Sequence, residues 1–309
     1  MTAGLLGLAA ALVAYIYIPR SLPPQPDSFM LIAHRGVSQT FPLENLENDT
    51  CTAKIIYLPT HRFLENTLPS MQAAFDYGAD MVELDIHPTT DNQLAVFHDW
   101  TVDCRTNGKG ITQEQSMAIL KQLDIGYGYT ADGGQTYPFR GQGVAMMPTL
   151  DEVLTAFPEQ TFLIDQKDRF SQTIELLSHT LGQYSSHQQS NLYLFSGEEQ
   201  YAQLKQEIPD VQRLFSSRRE VKDCIPDYLK MLISGQLPDI CSRYALGLPI
   251  RYLNYVPGWP GLFLSKARQA HLQVYVLEVD TLDSWEKIQH LPLDGIVTNR
   301  VEVIGPLLK

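Results

Sequence analysis

Short apolar runs alternate along the chain with stretches whose apolar residues recur every three to four positions. The first pattern is that of buried strands and the second that of one-sided helices. Strands are predicted at Phe29–Ala33, Met81–Ile86, Leu94–Phe97, Thr161–Ile164, Leu192–Phe195, Leu248–Tyr252, Gln273–Val279 and Gly295–Val297, with Arg213–Phe215 a further short candidate. Helices are predicted at Thr67–Tyr77, stopped by Gly78, and at Leu150–Ala156, Ser171–Leu181, Glu198–Glu207, Arg219–Ile233, Leu262–Ala270 and Asp283–His290. Strands that alternate with helices imply a parallel sheet. About eight such units match an α/β fold of the (β/α)8 TIM-barrel class better than an open doubly wound sheet. No GxGxxG follows an early strand, which removes the main reason to expect a dinucleotide-binding fold. Two connections, Gly36–Phe63 and Val102–Met147, exceed ordinary loop length and are predicted as functional insertions after the first and second strands. A glycine-rich stretch in the second, Asp124–Gly143, is placed to cover a site.

Ahead of this pattern, Ala3–Ile18 carries no charge, and Arg20 and a proline cluster (Pro23, Pro24, Pro26) follow it. As a helix this segment spans about 24 Å, somewhat short of a ~30 Å hydrocarbon core. No Lys or Arg precedes it and no small-x-small cleavage site follows Tyr15, which favours an uncleaved anchor over a secretory signal. The chain therefore divides into an N-terminal anchor or signal segment at 1–20, a Pro-rich linker at 21–28 and a barrel at 29–309. Arg20 weakly favours a cytoplasmic domain, whereas the cysteines favour export. Cys51, Cys104, Cys224 and Cys241 are even in number and lack CxxC spacing, so zinc and thioredoxin-like readings are weak. In an exported domain Cys51–Cys104 and Cys224–Cys241 are the natural pairings; in a reducing compartment all would stay buried thiols. Asn48-Asp49-Thr50 is a glycosylation sequon in a glycosylating host.

Of the 309 residues, 35 are acidic and 23 are Lys or Arg, a net charge of −12. That balance is a poor match to nucleic acid, whose phosphates need clustered Lys and Arg. It suits a site that gathers carboxylates for a divalent cation, although a solvated acidic surface accounts for most of it. Candidate chemistry sits at the ends of the early strands, where a parallel barrel places its active face. His34-Arg35-Gly36 ends the first. Glu83-Leu84-Asp85 ends the second, and strand alternation turns both carboxylates the same way, about 6.7 Å apart. Two like charges on one inward face need a cation or a proton between them, and a hard divalent ion on carboxylate oxygens answers that need. Phe97-His98-Asp99 supplies a second histidine, placed to pair with His34 as acid and base. Glu65-Asn66-Thr67 precedes a helix; Asn66 is a good N-cap, and Glu65 projects toward the barrel mouth. Asp165 and Lys167 share a face, either as a plain salt bridge or as a third metal oxygen beside a phosphate contact. Such a set suits in-line displacement at phosphorus.

In this order and spacing His34-Arg35-Gly36, Glu65-Asn66-Thr67, Glu83-Leu84-Asp85 and Phe97-His98-Asp99 resemble the glycerophosphodiester phosphodiesterase family. Met81 through Asp99 is similar to that family's core block nearly throughout, and Ile164-Asp165-Gln166-Lys167 and Asp294–Arg300 are similar to its third metal segment and final strand. The resemblance runs from about Met30 to the C-terminus and is weakest between Ser196 and Gln273. It implies a TIM barrel that hydrolyses glycerophosphodiesters to glycerol 3-phosphate and an alcohol with Ca²⁺ or Mg²⁺. By the same carry-over Glu83, Asp85 and Asp165 ligate the metal with Glu65 close by as a further candidate metal ligand, His34 and His98 are the acid and base, and Arg35 and Lys167 bind phosphate. The attacking group is either water or the substrate's own glycerol hydroxyl. Asp165 is one methylene shorter than the Glu often found there. Val276–Asp280 lacks the tryptophan common at that strand, leaving Trp100 and Trp259 as substitutes or as ordinary packing residues. Two other readings stay open. One is a lysophospholipase D-like enzyme working on membrane lipid through an apolar trough of Tyr252, Tyr255, Trp259, Leu262 and Phe263; the other is a non-catalytic binding barrel.

Overall fold

The computed structural model describes residues 10–11, 14–44, 46–47, 50–168 and 171–308, with the side chain of Ser171 left aside. Most of the apolar N-terminal segment, and Asn48 and Asp49 of the sequon, lie outside the described residues. Among the described residues, no helix is long and apolar enough to cross a membrane. The chain forms two compact units, Leu31–Arg213 with Thr298–Lys309, and Met1–Met30 with Leu214–Val297.

In the first unit β1 (Met30–His34), β2 (Met81–Pro88), β4 (Thr161–Gln166) and β5 (Leu192–Phe195) run parallel. The register sets His34 beside Glu83 and Asp85 beside Asp165, so the chemistry-bearing strand ends lie level. β2 is buried along nearly its whole length, carboxylates included. Those charges are tolerated only because neighbouring groups compensate them. The Leu94–Phe97 run forms β3 (Leu94–Val96), which pairs antiparallel with the far end of β2. It is thus the return arm of a hairpin and not a further parallel strand, and the long second insertion follows that hairpin. Asn92, in the left-handed region at φ 56°, makes the turn.

The helix Leu68–Asp76 starts as its sequence directs. Thr67 accepts from the Ser70 amide while the Ser70 side chain answers the Thr67 amide, a reciprocal cap that satisfies backbone donors otherwise left open. Its buried face, with Met71 and Ala74, closes over the strands. In the second unit β6 (Leu246–Pro249), β7 (Val274–Leu277) and β8 (Gly295–Thr298) run parallel, with the helices Gly261–Gln269 and Leu282–Ile288 between them. Arg213–Phe215 is not a strand; Phe215 makes a single bridge, to Ala245.

The two insertions of the first unit share one apolar cluster. Ala53 and Ile56 of the first, with Leu64 just beyond its end, pack with Val102, Met117, Leu120, Ile125, Tyr129, Phe139 and Met147 of the second. Asp124 ties the glycine-rich stretch to itself by accepting from the amides of Gly126, Gly141 and Gly143. Both expected disulfides are formed, Cys51–Cys104 joining the insertions and Cys224–Cys241 in the other unit. The latter bridges residues 17 apart. Cross-links of that span remove about 3 kcal/mol of chain entropy from the unfolded state. Cys224→Ser/Cys241→Ser is expected to lower unfolding stability by that order in urea titration, and an unchanged midpoint would refute the contribution.

Candidate active site

At the end of β1 the backbone turns through two left-handed residues, Arg35 at φ 63° and Gly36 at φ 76°. A Cβ on Gly36 would stand 2.8 Å from the Ser70 carbonyl carbon, so glycine is required there. The turn aims the Arg35 amide at Glu83, whose backbone oxygen accepts at 2.9 Å and whose Oε2 accepts at 3.2 Å. Asn66, also left-handed at φ 57°, donates to Asp85 Oδ2 at 2.7 Å. Asn66 has the residue type of a good N-cap, but Thr67 caps the helix and leaves Asn66 to hold a site carboxylate.

Asp85 lies at the centre. Its Oδ2 is 3.1 Å from Arg35 Nε and its Oδ1 is 2.5 Å from Lys167 Nζ. Both approaches are ion pairs off the line of a hydrogen bond, which leaves Asp85 Oδ1 a buried oxygen without a hydrogen-bond donor. Lys167 Nζ also donates to Asp165 Oδ2 at 2.5 Å, so its ammonium bridges Asp85 and Asp165. Burial alone would raise the Asp85 pKa, but Lys167 and Arg35 outweigh it and hold the carboxyl well below its usual range. Glu83 goes the other way, pushed well up by burial and by the Asp85 charge beside it. Burial opposes the charge on Lys167, yet Asp85 and Asp165 raise its pKa and keep it cationic.

Ligand oxygens of Glu83, Asp85 and Asp165 all lie within 4.8 Å of one another. Three converging carboxylates, whose charge Lys167 and Arg35 only partly balance, fit a hard divalent cation that prefers oxygen donors. Glu65 is placed differently. Its Oε1 is 2.9 Å from Arg35 Nη1 and its Oε2 is 3.1 Å from Arg105 Nη1, so both oxygens face guanidinium groups.

The imidazoles flank this cluster, each with a third of its side chain exposed. His34 Nε2 is 3.7 Å from Glu83 Oε2, and its Nδ1 is 2.6 Å from Asn299 Oδ1. Because a carboxamide oxygen only accepts, Nδ1 carries the proton and Nε2 holds the lone pair. Burial and then the Arg35 charge push the His34 pKa down to about 3. His98 Nδ1 is 2.7 Å from Asp99 Oδ1, so Nδ1 carries a proton facing the carboxylate. Burial and Arg35 lower its pKa too, against the pull of Asp85 and Asp99. His87 is fully buried, with Nε2 3.2 Å from the His98 carbonyl oxygen. β2 continues through Pro88, so His87 stands on the same side of the strand as Glu83 and Asp85, and Gln113 Nε2 lies 3.2 Å from its Nδ1. Trp100 packs edge-on against His87 with ring centroids 5.5 Å apart. Arg105, Tyr129 and Asn299 are polar groups of the site to which the sequence reading gave no role.

The sequence pattern of the Glycerophosphoryl diester phosphodiesterase family matches residues 34–188. A glycerophosphodiester phosphodiesterase of Caldanaerobacter subterraneus subsp. tengcongensis is 26% identical over 293 residues, covering 91% of this chain and 98% of its own. Among solved structures, the glycerophosphoryl diester phosphodiesterase domain of a Mycobacterium tuberculosis protein superposes with a TM-score of 0.66 at 17% identity, covering 92% of this chain and all (100%) of that one. A phosphodiesterase of Oleispira antarctica, solved with the product sn-glycerol-3-phosphate, gives a TM-score of 0.58 at 19% identity, covering 93% and 98%. These likenesses bear out the (β/α)8 barrel expected from the strand and helix pattern.

Proposed function

The chain belongs to the glycerophosphoryl diester phosphodiesterase family and is a phosphoric diester hydrolase, and on that premise we propose how it works and on what. The substrate is a glycerophosphodiester, cleaved to glycerol 3-phosphate and an alcohol. Glu83, Asp85 and Asp165 hold one divalent cation, Ca²⁺ or Mg²⁺. The observation that carries this reading is the convergence of that trio with His34 and Lys167 at level strand ends. When bound, the cation supplies positive charge to the non-bridging phosphate oxygens.

The protein's own groups do the rest. Arg35 and Lys167, both held cationic in buried surroundings, bind the phosphate and gain strength as charge builds on it. His34 keeps a free Nε2 and a depressed pKa, so it is neutral at neutral pH and takes the proton of the attacking hydroxyl. His98 is the better placed of the two to give a proton to the departing alkoxide: burial and Arg35 lower its pKa as well, but the Asp99 carboxylate at Nδ1 offsets this in favour of the imidazolium where neutral Asn299 does less for His34. The same roles serve whether water or the glycerol hydroxyl attacks.

The paired cysteines support an extracytoplasmic, oxidising location, with residues 1–20 as anchor or export segment. A panel of water-soluble glycerophosphodiesters and lysophospholipids tests the substrate assignment. Glycerol 3-phosphate released from the soluble diesters is the expected product. Hydrolysis confined to lysophospholipid would replace the substrate class with a membrane lipid, and no turnover of any diester with either ion would remove the activity altogether.

A further inference from the structure

We propose that Arg105 is a positioning residue for the phosphodiester reaction, holding His98 through Asp99 and Arg35 through Glu65. The inference rests on the roles given above to His98 and Arg35 and extends them to a residue of the second insertion. A line of alternating charge runs through the site. His98 Nδ1 lies 2.7 Å from Asp99 Oδ1, and Asp99 Oδ2 lies 2.9 Å from Arg105 Nε, an ion pair off the hydrogen-bond line. Arg105 Nη1 is then 3.1 Å from Glu65 Oε2, and Glu65 Oε1 is 2.9 Å from Arg35 Nη1. Arg105 is the midpoint, touching the partners of both the proton-transfer histidine and the phosphate-binding arginine.

Its own placement is tightly held. The side chain is 3% exposed. Nη1 also donates to the Tyr129 hydroxyl at 2.6 Å, and Nη2 donates to Thr52 Oγ1 at 2.9 Å. A rigid planar fork can meet all these partners at once, and a flexible ammonium cannot. Burial would raise the pKa of Asp99 and Glu65, yet Arg105 leads the charges that pull both down and keep them ionised. Thr52 and Arg105 are the residues that follow Cys51 and Cys104, so the disulfide staples the backbone on either side of this contact. Gly128 closes on the same point; a Cβ there would stand 1.9 Å from the Cys104 carbonyl oxygen. The insertions thus have a mechanical purpose, which is to deliver one guanidinium to the floor of the site at a fixed angle.

The test compares kcat, KM and thermal midpoint for the wild type, Arg105→Met, Asp99→Asn, their double variant, Thr52→Val and His98→Ala, all at saturating cation. Loss of alignment at the proton donor is expected to lower kcat of Arg105→Met by about 100-fold. Because Arg105 reaches His98 only through Asp99, the loss in the double variant should fall well short of the product of the two single losses, whereas independent effects multiply. Thr52→Val removes a single support and leaves every charge in place; its kcat should fall about threefold to tenfold with the thermal midpoint little changed. Arg105→Met that folds and keeps kcat within about twofold of the wild type would overturn the proposal, as would multiplying losses. Should Arg105→Met not fold, an unchanged kcat in Thr52→Val overturns it. Full activity in His98→Ala instead removes the reading of His98 on which the proposal stands, so the two failures are told apart.

Discussion

Hydrolysis of a glycerophosphodiester falls to background when the protein is stripped with a strong chelator, and it returns on addition of Ca²⁺ or Mg²⁺. This expectation follows from three carboxylates whose oxygens lie within 4.8 Å of one another beside a buried strand. Without a cation, Lys167, Arg35 and bound protons offset the charge of this cluster. Burial and the Asp85 charge raise the Glu83 pKa well above its usual value, so the metal-free site keeps a proton on Glu83 over a wider range of pH. A cation must displace that proton. Apparent affinity for it therefore rises with pH and falls as Glu83 becomes protonated. Asp165→Ala, which removes a trio oxygen at the cluster's exposed side, should raise the cation concentration needed for half-maximal rate, and calorimetric titration checks this without reference to turnover. Full activity after complete removal of divalent ions would sink the assignment of the trio.

The parts of this site that were legible in the sequence are those carried by local pattern. His34, Glu83, Asp85 and Asp165 each end a short apolar run, and parallel pairing turns such ends to one face, so their meeting follows from the alternation alone. The disulfides were legible because an even number of cysteines without CxxC spacing leaves few uses for them. What escaped depends on contacts between distant segments. An apolar run as short as Leu94–Val96 does not disclose the direction in which it pairs, so the hairpin with β2 was not visible. Arg105 reaches Glu65, 40 positions away, from inside a loop-rich insertion where nothing in the local pattern marks a buried charge. Asn299 meets His34 across 265 positions. Glu65 shows the converse. It sits among the expected ligands in sequence, yet both its oxygens are met by Arg35 and Arg105, which fits a role in orienting charge.

His34→Ala and His98→Ala are each expected to lower kcat by about 10²- to 10⁴-fold, the range over which a positioned acid or base contributes. The two should differ when the leaving group changes. An ordinary alcohol departs as a strongly basic alkoxide and needs a proton as the bond to phosphorus breaks. A nitrophenolate does not. If His98 is the proton donor, His98→Ala should regain most of the wild-type rate on a nitrophenyl phosphodiester, while His34→Ala, lacking the base that activates the attacking hydroxyl, should stay slow on both substrates. The structural ground is the difference in what each Nδ1 faces. His98 has a carboxylate held ionised by Arg105, which favours its imidazolium; His34 has a carboxamide oxygen and the adjacent Arg35 charge, which favour the neutral ring. Rescue of His34→Ala in place of His98→Ala would exchange the two roles and would mean that the Asp99 carboxylate tunes a base. Rescue of neither would mean that both imidazoles act on the phosphate itself, with the proton passing through water.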